Sequence, residues 1–181
     1  MPRSFLLVEG FTDKLFAERV LGPALVRCGK ASQVSIVEHA RKSKKQVSDI
    51  VRSANAMDAG YLYLADLDDT VCKARKKALT CDTHPCLSTP NVLVVVQEIE
   101  GWYLAGLDRR VCQQLGMEYI PRTDNITKEQ FQSLRPGRFK DAQDFMMEIL
   151  KHFDLRHALV EARNTSLSYF FDRHCRPSSA D

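Results

Sequence analysis

Two aspartates follow an apolar segment near the middle of the chain. Residues 60–65 read Gly-Tyr-Leu-Tyr-Leu-Ala, a pattern typical of a strand that is buried on both faces, and Asp66 and Asp68 come directly after it. Because side chains alternate along an extended chain, both aspartates are expected to point to the same side. Two neighbouring carboxylates repel each other unless one is protonated or a divalent cation lies between them. The pair by itself favours a cation site and an acidic cap of the next helix about equally.

Acidic residues also follow two other segments that are expected to form strands. Glu9 follows residues 4–8, and Glu98 and Glu100 follow residues 92–96. Parallel strands end at one edge of their sheet, which is where ligands bind in open α/β sheets. Helix capping alone does not explain acids after three strands out of four. We therefore expect the carboxylates to converge on that edge and to hold one or two Mg²⁺ or Mn²⁺ ions, since hard cations prefer oxygen ligands.

The order of the elements predicts an α/β fold. Segments of strand-forming residues alternate with helical patterns, which favours a mostly parallel four-stranded sheet with helices on both faces. The fourth strand is β-branched almost throughout, so it is expected to be central in the sheet. The strands are predicted at residues 4–8, 33–38, 60–65 and 92–96.

Only helical patterns follow residue 108. Thr127 and Gln130, for example, have the spacing of a capping box at the start of a helix. We therefore predict an α/β domain over residues 1–107, a helical extension packed on it over residues 108–175, and a disordered tail over residues 176–181.

Two basic segments accompany the predicted acidic site. One leads into a helix, and the other spaces its lysines three and four residues apart, which places them on one helix face. Such a face is often only solvated surface, but beside carboxylates it also suits the phosphates of DNA or RNA. The net charge of +3 is too small to decide between these readings. The residues are Arg41, Lys42, Lys44 and Lys45 in the first segment and Lys73, Lys76 and Lys77 in the second.

The composition predicts a cytoplasmic protein. The 181 residues, 44% hydrophobic and 27% charged, show no signal-peptide pattern and no apolar run of the roughly 18 residues that a membrane span needs. Six cysteines in such a chain are expected to be free thiols. Cys81, His84 and Cys86 are zinc-type ligands, but their spacing is unusual, so a polar loop explains them better than a structural zinc site.

The sequence resembles the Toprim domain. Residues 6–13 read Leu-Leu-Val-Glu-Gly-Phe-Thr-Asp, and residues 66–69 read Asp-Leu-Asp-Asp. That family, found in topoisomerases, primases and nucleases of the OLD (overcoming lysogenisation defect) class, places a glutamate after its first strand and a D-x-D after its third. The resemblance covers residues 4–106. Glu-Ile-Glu-Gly-Trp at residues 98–102 makes the chain more similar to the OLD nucleases and their small stand-alone relatives than to topoisomerases.

The resemblance implies a Rossmann-like fold and a Mg²⁺-dependent nuclease that uses two metal ions. The catalytic acids that it implies, which also bind the first metal ion, are Glu9, Asp66 and Asp68. The acids that it implies for the second metal ion are Asp13 with Glu98 or Glu100. The substrate would be the phosphodiester backbone of DNA or RNA.

Two further expectations come from the same family. OLD proteins usually carry an ATPase domain ahead of the Toprim part, whereas this chain starts at the Toprim strand, so any ATPase is expected to be a separate partner. The family also uses a lysine beyond the Toprim core to stabilise the transition state. Lys140 is the candidate for that role, although an ordinary surface lysine is the simpler explanation.

Two other functions stay open on the sequence. Residues 64–70 resemble the first motif of haloacid-dehalogenase-type phosphatases, in which Asp66 would be the nucleophile and Asp68 the acid/base. Those enzymes normally begin with this motif, and this alternative gives Glu9 no role. The other function is that of a Toprim-like domain that binds nucleic acid or a partner ATPase without cutting.

Overall fold

The computed structural model describes residues 3–175. The strands are β1 (Arg3–Val8), β2 (Gln33–Glu38), β3 (Gly60–Asp66) and β4 (Val92–Val95). The α-helices are α1 (Phe11–Phe16), α2 (Gly22–Arg27), α3 (Lys44–Ala56), α4 (Lys73–Thr83), α5 (Glu100–Ala105), α6 (Arg109–Leu115), α7 (Lys128–Leu134), α8 (Ala142–His152), α9 (Leu155–Val160) and α10 (Thr165–His174). A π-helical segment, Ala17–Leu21, joins α1 to α2. The tail predicted at residues 176–181 lies outside the described residues. None of the described helices is long and apolar enough to cross a membrane.

The four strands form one parallel sheet in the order β2-β1-β3-β4, flanked by helices, which confirms the predicted α/β fold. In its register, Leu7 of β1 lies opposite Val37 of β2 and Tyr63 of β3. The prediction that the fourth strand is central is wrong, because β4 lies at an edge of the sheet. All residues of β4 are nevertheless buried. Its β-branched composition therefore reflects the burial of its faces rather than its position in the sheet.

Strand β3 is buried on both faces, as the sequence predicts. Tyr61 and Tyr63 belong to a cluster of buried residues that includes Val51 of α3. Leu62 and Leu64 alternate with them along the strand, so they face the other side, and both are also buried. Each fully buried side chain of this kind contributes about 1.5–3 kcal/mol. This packing fixes the position of the strand that ends in the aspartates.

The chain divides into two compact units. The first contains the four strands and consists of the residues up to Val95 and those from Phe170 on. The second is Val96–Tyr169 and contains α5 to α9. The sequence pattern predicts the end of the α/β domain at residue 107 instead. The helices expected after residue 108 are present as α6 to α10.

A buried arginine organises the second unit. Arg163 is 1% exposed, and its guanidinium donates hydrogen bonds to the carbonyl oxygens of Ala105 (3.0 Å), Leu107, Ile120 and Pro121 (3.3 Å). These acceptors lie 42 to 58 residues away along the chain. A planar group with five donors can serve several carbonyls at once, whereas a shorter or non-planar side chain cannot. The second unit therefore depends on one polar side chain that no local pattern singles out.

The aromatic pair Trp102 and Tyr103, at the start of the second unit, belongs to the core of that unit. Trp102 is 1% exposed and Tyr103 is fully buried. The indole Nε1 of Trp102 donates a hydrogen bond to Oγ of Ser166 at 2.8 Å. Trp102 is the only tryptophan in the chain, so its fluorescence reports on this unit.

We expect the substitution Arg163→Lys to lower the free energy of unfolding of the second unit by about 3 kcal/mol. One ammonium group cannot reach all the carbonyls that the guanidinium serves, and each hydrogen bond to a charged group contributes about 1.5–3 kcal/mol. Urea denaturation followed by Trp102 fluorescence measures the change. Arg156→Lys, at an exposed position of α9, should leave the urea midpoint at its wild-type value. Equal midpoints for both variants would contradict the role assigned to Arg163.

Candidate functional site at the carboxyl edge of the sheet

An open pocket of about 410 Å³ lies at the carboxyl ends of β1, β2 and β3. Glu9 follows β1, His39 follows β2, and Asp68 comes shortly after β3, and all three line the pocket. The parallel sheet thus brings Glu9 and Asp68 to one cavity although they are far apart in sequence. This is the edge at which ligands bind in open α/β sheets.

The two aspartates after the apolar segment differ in backbone and in environment. Asp66 is the last residue of β3, lies opposite Val95 of β4 and is 5% exposed. Leu67 still donates its N–H to the carbonyl of Val95 at 2.9 Å, but Asp68 has a φ of +47°, in the left-handed region. The alternation of an extended chain therefore stops before Asp68. The two aspartate side chains therefore do not follow the expected alternation, because Asp68 lies in a turn.

Asp68 forms an ion pair with a lysine of α4. Nζ of Lys76 donates to Oδ2 of Asp68 at 2.6 Å, and the Lys76 side chain is 19% exposed. Lys77 has a different neighbour, Arg173, whose positive charge helps to lower the Lys77 pKa after the larger effect of burial. Lys73 is exposed at the start of the helix. The three lysines, predicted to lie on one side of the helix, therefore have different neighbours. Of the three, Lys76 lines the pocket.

Asp13 has a local structural role. It lies in the first turn of α1, is 5% exposed, and its Oδ2 accepts hydrogen bonds from the N–H of Gly10 (3.3 Å) and from Oγ1 of Thr12 (3.5 Å). A carboxylate in this position stabilises the start of a helix. The side chain therefore fixes the turn that begins directly after Glu9.

Glu98 and Glu100 belong to the second unit. Glu98 accepts a hydrogen bond from the N–H of Lys128, and its Oε1 lies 2.9 Å from Nζ of the same lysine. Glu100 is 4% exposed in the first turn of α5. The glycine that follows it, Gly101, packs so closely against the carbonyl of Thr123 that a β-carbon has no room. The sequence around these acids thus also serves the packing of the second unit.

Lys140, the candidate for transition-state stabilisation, also lies in the second unit. It is exposed, just before the Asp141 cap of α8, and its N–H donates to Oδ2 of Asp144 at 3.1 Å. Its backbone thus stabilises the start of a helix, while its ammonium group is at the surface.

A histidine and a tyrosine in the pocket were missed by the sequence analysis. Nε2 of His39 lies 3.0 Å from the carbonyl oxygen of Leu64, so it must be the protonated nitrogen, and Nδ1 then accepts the hydroxyl hydrogen of Tyr63 at 3.0 Å. The two rings also stack, with centroids 4.1 Å apart. His39 and Tyr63 come into contact only when the chain folds. A single histidine after a strand does not indicate a functional site in the sequence.

The pKa values of His39, Tyr63 and His84 keep these pocket side chains uncharged at neutral pH. Burial lowers the pKa of His39, and this effect outweighs the Leu64 carbonyl and the Glu9 carboxylate, which raise it. Burial, and then the charges of Glu9 and Cys86, raise the pKa of Tyr63 to about 12. Burial, and then the nearby charge of Lys44, lower the pKa of His84, which also lines the pocket. The formal charges in the pocket lining therefore come from Glu9, Asp68 and Lys76.

The first basic segment borders the same pocket. Arg41, Lys44 and Lys45 are exposed and Lys42 is half-buried. Lys44 starts α3 and lies close enough to His84 to influence its pKa. The N-terminal end of α3 therefore adds positive charge at the rim.

Cys81, His84 and Cys86 are not arranged around a common metal position in the structure. Cys81 lies in α4, where its Sγ contacts Oγ1 of Thr89 at 3.7 Å. Among residues 3–175, no three His, Cys, Asp or Glu side chains are arranged to hold a metal ion. The six cysteines are all free thiols, which confirms that prediction.

The lowered pKa of His39 predicts a specific pH dependence of stability. The unfolded chain binds a proton at His39 near the ordinary pKa of 6.5, while the folded chain binds it only at lower pH, so the free energy of unfolding should rise between pH 5 and pH 7. His39→Asn should reduce this rise, measured by urea denaturation followed by circular dichroism at both pH values. Asn55→Ser, a change without a titrating group at an exposed position of α3, should keep the wild-type rise. A His39→Asn variant with an unchanged rise would show that His39 is not buried in its neutral form.

Comparison with known proteins assigns no family to the chain. No protein-family model matches the sequence, and no curated protein matches it either. The residues and geometry of the carboxyl-edge pocket therefore carry the functional argument.

Proposed function

We propose that the protein is a divalent-metal-dependent hydrolase of phosphodiester bonds in nucleic acid, with Glu9, Asp66 and Asp68 as its reacting and metal-binding acids. The observation that carries the proposal is the position of Glu9 and Asp68 in one open pocket at the carboxyl edge of the sheet. Asp66 ends the strand that leads into this pocket. Lys76 and Lys44 add positive charge at the same place.

The residue types fit Mg²⁺ or Mn²⁺, but in residues 3–175 no three such side chains are arranged around one metal position, so the acids would have to move together when a cation binds. Carboxylate oxygens are the ligands that hard divalent cations prefer. The carboxylate of Asp66 is 5% exposed and so largely removed from water. Oδ2 of Asp68, however, is bound to Lys76, so a cation that took this oxygen as a ligand would have to displace the ammonium group. A bound cation would supply Lewis-acid stabilisation of a phosphoryl oxygen and a more acidic bound water.

The residues have distinct roles in this proposal. Asp68 in the pocket lining and Asp66, which ends β3 beside it, would hold the cation. Glu9, half-buried at the end of β1, accepts the proton of the attacking water at its carboxylate. Lys76, released from Asp68, is positioned to bind a non-bridging phosphate oxygen. The uncharged His39 and Tyr63 form the wall of the pocket without competing for the cation.

The shape and charge of the site favour a polymeric phosphodiester as substrate. The pocket is open rather than enclosed, so a chain can pass across it. The exposed basic residues at the start of α3 extend the positive charge beyond the pocket. Lysine and arginine side chains at such a rim neutralise backbone phosphates and steer a polyanion toward the acids.

Cleavage assays test this proposal directly. The protein should cut at least one of supercoiled plasmid, single-stranded DNA and RNA in Mg²⁺ or Mn²⁺, and EDTA should abolish the activity. Glu9→Gln and Asp66→Asn should each lose at least about 100-fold, because even residues that only orient metal ligands are worth about 10- to 100-fold. Asp49→Asn removes a carboxylate from the surface of α3 and should cut at the wild-type rate.

The other outcomes of this assay separate the competing functions. Hydrolysis of a small phosphomonoester, with an aspartyl-phosphate adduct at Asp66, would replace the nuclease by a phosphatase. Binding of nucleic acid without cleavage in either metal would indicate a non-catalytic binding domain. An Mn²⁺ titration in the same buffers counts the cations that the protein holds.

The ion pair between Lys76 and Asp68 predicts an effect on metal affinity. Lys76→Met frees the carboxylate of Asp68, so Mn²⁺ should bind about two- to fivefold more tightly, since a partly exposed ion pair contributes roughly 0.5–1 kcal/mol. Isothermal titration calorimetry measures the change. Lys151→Met breaks an ion pair of the same 2.6 Å length with Glu148 on α8 and should leave Mn²⁺ affinity unchanged. Weaker or equal Mn²⁺ binding in Lys76→Met would exclude Asp68 as a ligand.

A further inference from the structure

A second cavity, of about 320 Å³, lies at the opposite edge of the same sheet. Ser4 near the start of β1, Gly60 at the start of β3 and Asn91 just before β4 line it from the amino ends of the strands. Lys30, which follows α2, and Arg173, in the last turn of α10, line it from the helices. All these residues belong to the first compact unit.

The charge of this amino-edge pocket is entirely positive. None of its lining residues is an aspartate or a glutamate. Lys30 and Arg173 form no ion pair with any residue in the described part of the chain. Lys77 of α4 lies close to Arg173 and increases the local positive charge. Neighbouring cations repel each other, and an anion between them removes that repulsion.

His174 lies where the fields of these cations meet. Its Nε2 is buried and has no hydrogen-bond partner among residues 3–175. Burial, followed by the charges of Arg173, Lys77 and Lys30, lowers the pKa of His174 to about 4, so the imidazole is neutral at pH 7. A neutral imidazole with hydrogen on Nε2 donates one hydrogen bond, and a buried donor without a partner costs free energy. An oxyanion in the cavity would satisfy that donor.

The neutral lining of the cavity suits the same ligand. The Ser4 hydroxyl and the Asn91 side-chain amide are hydrogen-bond donors at the amino ends of the strands. Gly60 presents no side chain, and a β-carbon there would come within 3.3 Å of Oγ of Ser4, so glycine keeps the floor of the cavity open. The volume is at the lower end of the range for small-ligand sites, which fits a phosphate and a small attached group.

We propose that this amino-edge pocket is a binding site for a phosphate group, held by Lys30 and Arg173 and by donors from His174, Ser4 and Asn91. The proposal goes beyond the nuclease function and does not depend on it, because it uses different residues at the other edge of the sheet. The phosphate belongs either to a small ligand, as free phosphate or a monoester, or to the backbone of a nucleic-acid strand.

Titration with inorganic phosphate, followed by the NMR signal of the His174 Cε1 proton, tests the site. A bound anion stabilises the imidazolium, so the pKa of His174 should rise as phosphate is added and reach a plateau. The double variant Lys30→Gln/Arg173→Gln should bind phosphate at least about tenfold more weakly. The double variant Lys151→Gln/Arg156→Gln removes the same charge from exposed positions of α8 and α9 and should bind phosphate as the wild type does.

A second ligand identifies the source of the phosphate. A short single-stranded oligonucleotide without terminal phosphates offers only diesters, so a saturable response of His174 to it, at lower concentration than inorganic phosphate, would assign the site to a nucleic-acid backbone. A response to inorganic phosphate alone would assign it to a small phosphate ligand. No response of wild-type His174 to either ligand, or an equal response in the Lys30→Gln/Arg173→Gln variant, would overturn the proposal. The Glu9→Gln variant should keep phosphate binding, which separates this test from the fate of the nuclease function.

Discussion

The parallel pairing of β1 with β3 is the constraint on which the candidate site depends. With Leu7 opposite Tyr63, both strands end at the same edge, so the residue after β1 and the turn after β3 meet at one pocket. Backbone hydrogen bonds fix this register, and burial of β3 on both faces prevents a shift by one residue, because such a shift would reverse every side chain. The sheet therefore brings Glu9 and Asp68 to one pocket although their like charges repel each other.

The charges of the side chains at this edge are only partly neutralised by one another. Two like charges, Glu9 and Asp68, line one pocket with one lysine, Lys76, which neutralises the aspartate. Burial keeps His39 and Tyr63 uncharged, so they do not supply further compensation. A partly exposed ion pair of this kind is weak, so separating Lys76 from Asp68 costs little free energy. The pocket thus combines the rigid sheet with an ion pair, Lys76–Asp68, that is easily broken.

The two edges of the sheet have opposite electrostatic character. Acidic side chains gather at the carboxyl edge, whereas Lys30 and Arg173 stand without acids at the amino edge. Helix α4 contributes to both, because consecutive helical residues point about 100° apart. Lys76 therefore turns to Asp68 while Lys77 turns toward Arg173. Two neighbouring lysines of one helix thus have different partners, while Lys73 remains close enough to Lys77 to influence its pKa.

The sequence by itself determined the strands, to within one residue at each end, because apolar runs and turn residues record local burial and local backbone preference. It also placed Glu9 and Asp66 at strand ends. Tertiary structure alone decided that β4 lies at an edge, that Asp68 leaves the extended alternation, and that His39 meets Tyr63. It also decided the role of Arg163 in the second unit. The physical reason is range: secondary structure follows from neighbours a few residues away, whereas strand order, polar contacts and charge pairing arise between residues that only the folded chain brings together.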